Sequence, residues 1–354
     1  VELAAELWGS LDLPVSLTAR KVGKGTVYWG QDIYLKTDDE EEFYPSYVKT
    51  ANLLKEIGLD EDFSVGGAPI RFTHRKTNDR DIYFVANTSD SIISVDADFR
   101  VSGMTPELWH SETGERRSLP NFIDRGDKTT IPLQFEAHES YFVVFGKDDK
   151  GFPSNGKNFQ TFNDVKLIDG EWSVSFDPKR GGPENIIFES LVDWKDHTEP
   201  GVKHYSGKAT YTKTFDVQAE IKPKDNYFIE LGPTYEMARV TLNGEDLGTV
   251  WTSPWRVPTK TALKSKANIL KVEVANSWEN RLIGDTLAED KDVRTLKWSS
   301  GLLEGKEYKA GRYTFTTYLK AASDFGDIKL EPPKLQSSGL IGPVKIVKVD
   351  ESNQ

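Results

Sequence analysis

The amino-acid sequence predicts a mainly β protein: a small antiparallel β-sandwich and a jelly-roll β-sandwich, preceded by a short partial α/β segment. Three observations point there. From about residue 63, stretches such as "DIYFVAN", "SIISVDADFRV" and "SYFVVFG" are short, rich in β-branched and aromatic residues, and divided by polar turns. From residue 161 to the end the text again reads as strands, with no helix-period segment of ten residues. Residues 1–62 mix helix and strand, but are too few for a complete doubly wound domain.

In order along the chain, "VELAAELWG" reads as a helix, "VSLTARKV" and "GTVYWG" as short strands, and "SYVKTANLLKEIGL" as a second helix. In that helix Val48, Ala51, Leu54 and Ile57 fall at helical spacing and Gly58 supplies a stop. The acidic run from Asp38 to Glu42 lacks the glycine and spacing of a calcium loop and reads as a solvated loop. The segment looks like the tail of an upstream domain, and the absence of an initiator methionine makes a fragment of something longer the expectation.

Residues 63–148 read as the small sandwich, with Glu112, Thr113 and Gly114 marking a hairpin in which Gly114 takes a positive φ. Residues 149–160, within "GKDDKGFPSNGKNFQ", read as a linker with little to bury. Residues 161–354 read as the jelly roll. In its strand "GKATYTKTFDV", Ala209, Tyr211, Phe215 and Val217 share one face, which Lys213 interrupts, so that it must reach an edge or snorkel.

Composition narrows the function. The 354 residues carry 45 basic and 56 acidic side chains, a net charge of −11 spread along the chain, which disfavours a phosphate backbone as partner. No apolar run approaches the roughly 20 residues of a membrane helix. Without cysteine there is no disulfide framework, thiol nucleophile or thiolate metal site. The serine-hydrolase elbow, the phosphate-binding loop and the zincin signature are absent. Of the five histidines, His197 and His204 share one loop, without a third ligand at a familiar spacing. No apolar strand places Glu or Asp at i, i+2 and i+4, as sandwich-type glycosidases often do; weak matches such as Asp60 and Asp62 sit in a polar turn.

Tryptophan is more informative. Six of nine, Trp172, Trp194, Trp251, Trp255, Trp278 and Trp298, lie in the last segment. An indole face against a sugar's C–H face, with Arg, Asn and Asp bonding adjacent hydroxyls, is how a protein holds a neutral polyol; packing is the competing use of each ring. Two polar clusters stand at strand ends, where sandwich loops carry function. "DWKDHTEPGVKHYSG" contributes Trp194, Asp196, His197, His204 and Tyr205. "NSWENRLIGD" contributes Asn276, Trp278, Asn280, Arg281 and Asp285. Trp255 and Arg256 in "TSPWRVP" complete the candidate set for carbohydrate or domain contact. Fixing of the loops by hydrogen bonds is the alternative role.

The run from "EWSVSFDPKRGGPENIIFES" to "GKATYTKTFDV", with "LNGEDLGTVWTSPWRVP", "VEVANSWENRLIGD" and "SSGLIGPVKI", resembles the C-terminal galactose-binding-like module of glycoside hydrolase family 106, the α-L-rhamnosidases. "IRFTHRKTNDRDIYFVAN" and "PELWHSETGE" resemble the small sandwich that precedes it. Pieces such as "LNGEDLG" also occur in sugar-binding modules of other families, family 2 among them. The resemblance implies a bacterial, extracytoplasmic and periplasmic enzyme that removes L-rhamnose from plant polysaccharide by an inverting two-carboxylate mechanism. It also implies that the catalytic pair and a calcium ion belong to an upstream (β/α)₈ barrel. The chain is therefore expected to be a non-catalytic C-terminal region without a metal or cofactor of its own. Its expected partners are that upstream domain and an oligosaccharide or polysaccharide, not nucleic acid or membrane. Two alternatives remain at this level: a free-standing carbohydrate-binding module, and a glycosidase with its own pair among Glu236, Glu245, Glu279 and Asp285.

Overall fold

The computed structural model describes residues 2–9, 12, 14–37, 40–147, 156–218, 220–222, 226–286, 293–297, 304–308, 313–315 and 334–350. Its architecture is mainly β. Trp298 lies outside the described residues, as does the side chain of Asp285.

The first segment forms helix Glu2–Trp8, the hairpin of Thr18–Val22 with Gly25–Trp29, and helix Tyr47–Glu56. Trp8 stacks on Trp29 at 5.5 Å and the Arg20 guanidinium donates to the Ala5 carbonyl at 2.8 Å, so helix and hairpin hold each other. The acidic run differs from expectation: Glu40–Pro45 pairs antiparallel with Tyr34–Thr37, so part of it is strand rather than loop. Among the described residues before Phe63, no hydrophobic side chain is buried, and Tyr47 (88% exposed), Val48 (70%) and Leu3 (69%) face outward. The helical spacing of Val48, Leu54 and Ile57 is real, but the stripe covers nothing described here.

The small sandwich packs two antiparallel sheets. One has the strand order Arg116–Ser118, Thr105–His110, Ser140–Gly146, Arg80–Asn87 and Ile70–Lys76; the other runs Ile123–Asp124, Thr129–Phe135, Ile93–Phe99 and Phe63–Ser64. Alternation does the sorting: along Arg80–Asn87 every second residue is buried, and Val143 sits in register between Tyr83 and Leu108. Phe63, Tyr83, Phe99 and Phe145 close the core edge to face, with Phe99 4.9 Å from Tyr83 and 5.2 Å from Phe145. Such pairs add roughly 0.5–1.5 kcal/mol each beyond area burial. The predicted hairpin is present, with Gly114 at φ +70 between its strands.

The jelly roll also has two antiparallel sheets. The six-stranded sheet is ordered Ile186–Phe188, Trp172–Ser175, Lys208–Phe215, Asn268–Ala275, Met237–Leu242 and Glu245–Val250. The four-stranded sheet is ordered Phe162–Leu167, Lys345–Val349, Tyr227–Glu230 and Arg256–Pro258. Ala209, Tyr211 and Phe215 point inward as the sequence predicts. Lys213 leaves the apolar face to donate to the Glu171 carbonyl at 2.7 Å, its ammonium over the Trp172 ring. The stretch between the sandwiches is less loose than its composition suggests. Asn158 is 5% exposed, donating to Pro132 O and Asn121 O and accepting from Asn121 N, while Phe159 packs on the small sandwich.

Candidate functional site

The structure brings the two sequence-predicted polar clusters together at one end of the jelly roll. Asn276 donates to Tyr205 O at 2.9 Å and accepts from Gly207 N at 3.0 Å, and Ser206 donates to Ser277 O. "NSWENRLIGD" is not a loop: helix Glu279–Thr286 occupies most of it. Asn280, on that helix, is 2% exposed, with its amide donating to Gln336 O and its carbonyl accepting from Gln336 N, both at 2.6 Å. Arg281 donates to Arg180 O at 3.1 Å. His204 packs against helix residue Gly284, where an added Cβ would lie 2.5 Å from the His204 Cβ.

Trp194 and Tyr205, two of the candidates for carbohydrate or domain contact, are 0% exposed and pack inside the rim, which is the alternative, loop-fixing role. Trp194 donates through Nε1 to the Tyr211 hydroxyl at 2.5 Å, and Gly339 lies flat against its indole, where a Cβ would come within 2.4 Å. The Tyr205 hydroxyl donates to Lys208 O and accepts from Asp177 N, which closes the turn around the ring. His197 stacks on Phe188 and its Nδ1 accepts from Glu199 N; burial holds its pKa below the usual imidazole range. Asp196 and Trp278 remain exposed at this rim. Among the described residues no group of three His, Asp or Glu is placed to hold a metal ion.

A second place was nominated by the sequence only through Arg256. A cleft of about 920 Å³ lies between the two sandwiches. From the small sandwich come His110 and Arg117 of the hairpin sheet, outward-facing Gln134, and Glu136 and Glu139 of the turn after strand Thr129–Phe135. From the jelly roll come Phe162, Phe228 and the 251–256 stretch that joins one sheet edge to the other. Trp251 is 60% exposed there, while Trp255, the neighbouring candidate, packs against the jelly-roll core. Arg256 holds Glu230 through Nε and Nη2 and stacks over Phe162 at 3.9 Å.

The cleft walls shift their own acids. Glu139 is 8% exposed; burial pushes its carboxyl up to about 7, although its Oε2 accepts from Glu136 N at 2.8 Å. Burial also raises Glu136, against the pull of Arg256 across the cleft. His110 is lowered by burial and by Arg117. Arg117 itself donates to Asn158 O and lies over the Phe159 ring.

Of the four acids named as a possible catalytic pair, Glu236 and Glu245 lie at opposite ends of one strand. Glu236 precedes strand Met237–Leu242 and Glu245 pairs with Leu242 at its far end. Six residues of strand separate them by about 20 Å, against the roughly 5–10 Å that glycosidase carboxyls require.

Comparison with known proteins agrees with the sequence motifs. Residues 1–122 match the family described as alpha-L-rhamnosidase, and residues 192–316 match the one described as glycosyl hydrolase 2 galactose-binding domain-like. A "Putative beta-glucuronidase" of Formosa agariphila is 33% identical over 192 residues, 52% of this chain and 16% of that protein. The solved rhamnosidase of Novosphingobium sp. PP1Y is 30% identical with a TM-score of 0.64, over 98% of this chain and 28% of its own. The chain thus spans under a third of the length of either relative. It is glycoside-hydrolase-related, α-L-rhamnosidase-like in its first third and in its overall fold, and carries a galactose-binding-like β domain.

Proposed function

We propose that this chain is a non-catalytic region of an α-L-rhamnosidase-like glycoside hydrolase that acts on plant-type polysaccharide outside the cytoplasm, in the bacterial periplasm. In this reading a separate (β/α)₈ domain does the chemistry, and holds any calcium. The present chain braces that domain and contacts glycan. One observation carries it: no hydrophobic side chain described before Phe63 is buried, in the very segment that matches the rhamnosidase family. Apolar side chains left open along both helices, Leu3, Leu7 and Trp8 on one and Val48 and Leu54 on the other, suit a surface that another protein face covers. The 28% of the solved rhamnosidase that the chain covers leaves ample room for such a partner.

The test is turnover by the purified chain on nitrophenyl glycosides, led by α-L-rhamnoside. No release above a heat-inactivated control is expected. Rhamnoside release by the chain alone would sink the accessory reading.

A further inference from the structure

We propose that the cleft between the two sandwiches is a binding subsite for a neutral oligosaccharide, with Trp251 as its aromatic platform and half-buried polar side chains from both sandwiches as its hydroxyl partners. The inference rests on the accessory reading above and moves its glycan contact from the two polar clusters at the rim to the cleft that Arg256 also lines.

Four features of the cleft support it. Its 920 Å³ is near the top of the roughly 300–1,000 Å³ typical of small-ligand clefts, which suits a chain of sugars better than a single ring. Trp251 keeps 60% of its surface exposed in a chain whose Trp172 and Trp194 are completely enclosed, and an indole face left open beside polar groups fits the C–H face of a sugar. The walls carry Glu112, Glu115, Glu136 and Glu139 against Arg117, Lys157 and Arg256, a nearly balanced set that offers no net attraction to an ion. Finally, Arg256 is already committed to Glu230 and Arg117 to Asn158 O, so neither is a ready clamp for a ligand carboxylate. Glu112 and Glu115 are exposed and Glu136 is half-buried, so these acids are the more available partners, while buried Glu139 keeps one oxygen on the Glu136 amide. At mildly acidic pH the Glu139 carboxyl is neutral, and a neutral carboxyl both donates and accepts, as a sugar hydroxyl does.

The site also has a construction reason. Neither sandwich has the full set: the acids come from one and the exposed indole from the other. Residues 157–160, pinned through Asn158 and Phe159 to the small sandwich, form the floor that joins them.

The experiment is titration calorimetry of the whole chain, at mildly acidic pH, with xylotetraose, cellotetraose, mannotetraose and galactotetraose, and tetragalacturonate as an anionic comparator. Expected is heat from at least one neutral oligosaccharide, stronger than from tetragalacturonate, and weakened about tenfold or more by Trp251→Ala. Glu136→Gln, which keeps the shape, is expected to weaken it less. Circular dichroism confirms the fold of each variant. Silence from every neutral oligosaccharide, preference for tetragalacturonate, or unchanged affinity in Trp251→Ala would overturn the subsite. Binding lost in Trp278→Ala and kept in Trp251→Ala would move the contact to the rim, overturning the cleft while leaving the accessory reading intact. Hydrolysis of a bound oligosaccharide by the chain alone would instead overturn the accessory reading.

Discussion

At the jelly-roll rim and in the interdomain cleft the same kinds of residue, Trp, Asn, Arg, His and acids, are put to opposite uses. At the rim they are turned toward the backbone: Asn276 and Asn280 fill their amide valences with Tyr205 O, Gly207 N and both polar groups of the Gln336 peptide. In the cleft they line space: Trp251 is uncovered, Glu139 is buried and Glu136 half-buried, and among the described residues no cation is bonded to either. A polar cluster that is contiguous in sequence can satisfy itself locally. Groups from two domains can leave one another incompletely matched, and an unmatched wall is what a ligand completes.

Four substitutions test this contrast. The largest effect is expected inside the rim, from Trp194→Ala. Emptying a completely enclosed indole site should cost about 3–5 kcal/mol in urea unfolding. A loss under about 1 kcal/mol would mean that the rim is not the packed unit described. Next is Glu139. Its carboxyl moves from an ordinary value near 4.5 to about 7 in the fold, so the stability is fully present below about 4.5 and is lost as pH rises through about 7. The change is on the order of 3 kcal/mol. Unfolding of Glu139→Gln between pH 4 and 8 should show a flatter profile than the parent; parallel profiles would remove the cleft's electrostatic distinction. Third, Asn280→Ala strips two bonds from the Gln336 peptide, and a loss of about 1–3 kcal/mol in thermal melts is expected, with no change in glycan affinity. Smallest is Trp251→Ala, whose stability should stay within about 0.5 kcal/mol of the parent while its glycan heat falls. A large drop in melting temperature there would class Trp251 with Trp194 as packing.

Much of the fold was legible because alternation and turn chemistry are local. Tyr211 and Phe215 could be placed inward, Lys213 turned off the apolar face and Gly114 put in a hairpin without knowing any partner strand. The helix Glu279–Thr286 was not, since its eight residues mix Glu, Asn, Arg and Gly and give too short a stripe for periodicity. Nor could the sequence separate Trp194 from Trp251. Both stand among polar neighbours, and only Tyr211, seventeen residues from Trp194, and Gly339, far beyond it, reveal that the first ring is enclosed. The cleft was illegible for the same reason on a larger scale: Glu139 and Trp251 lie more than a hundred residues apart, and nothing in either neighbourhood announces the other.

The strand Lys345–Val349 lies inside its sheet, hydrogen-bonded on one side to Phe162–Leu167 and on the other to Tyr227–Glu230. During synthesis, then, the jelly roll cannot close its second sheet until strand Lys345–Val349 has left the ribosome. A nascent chain stopped short of residue 345 presents two raw strand edges to whatever else is in the cell, so late truncation should show itself as aggregation rather than as a merely shortened protein.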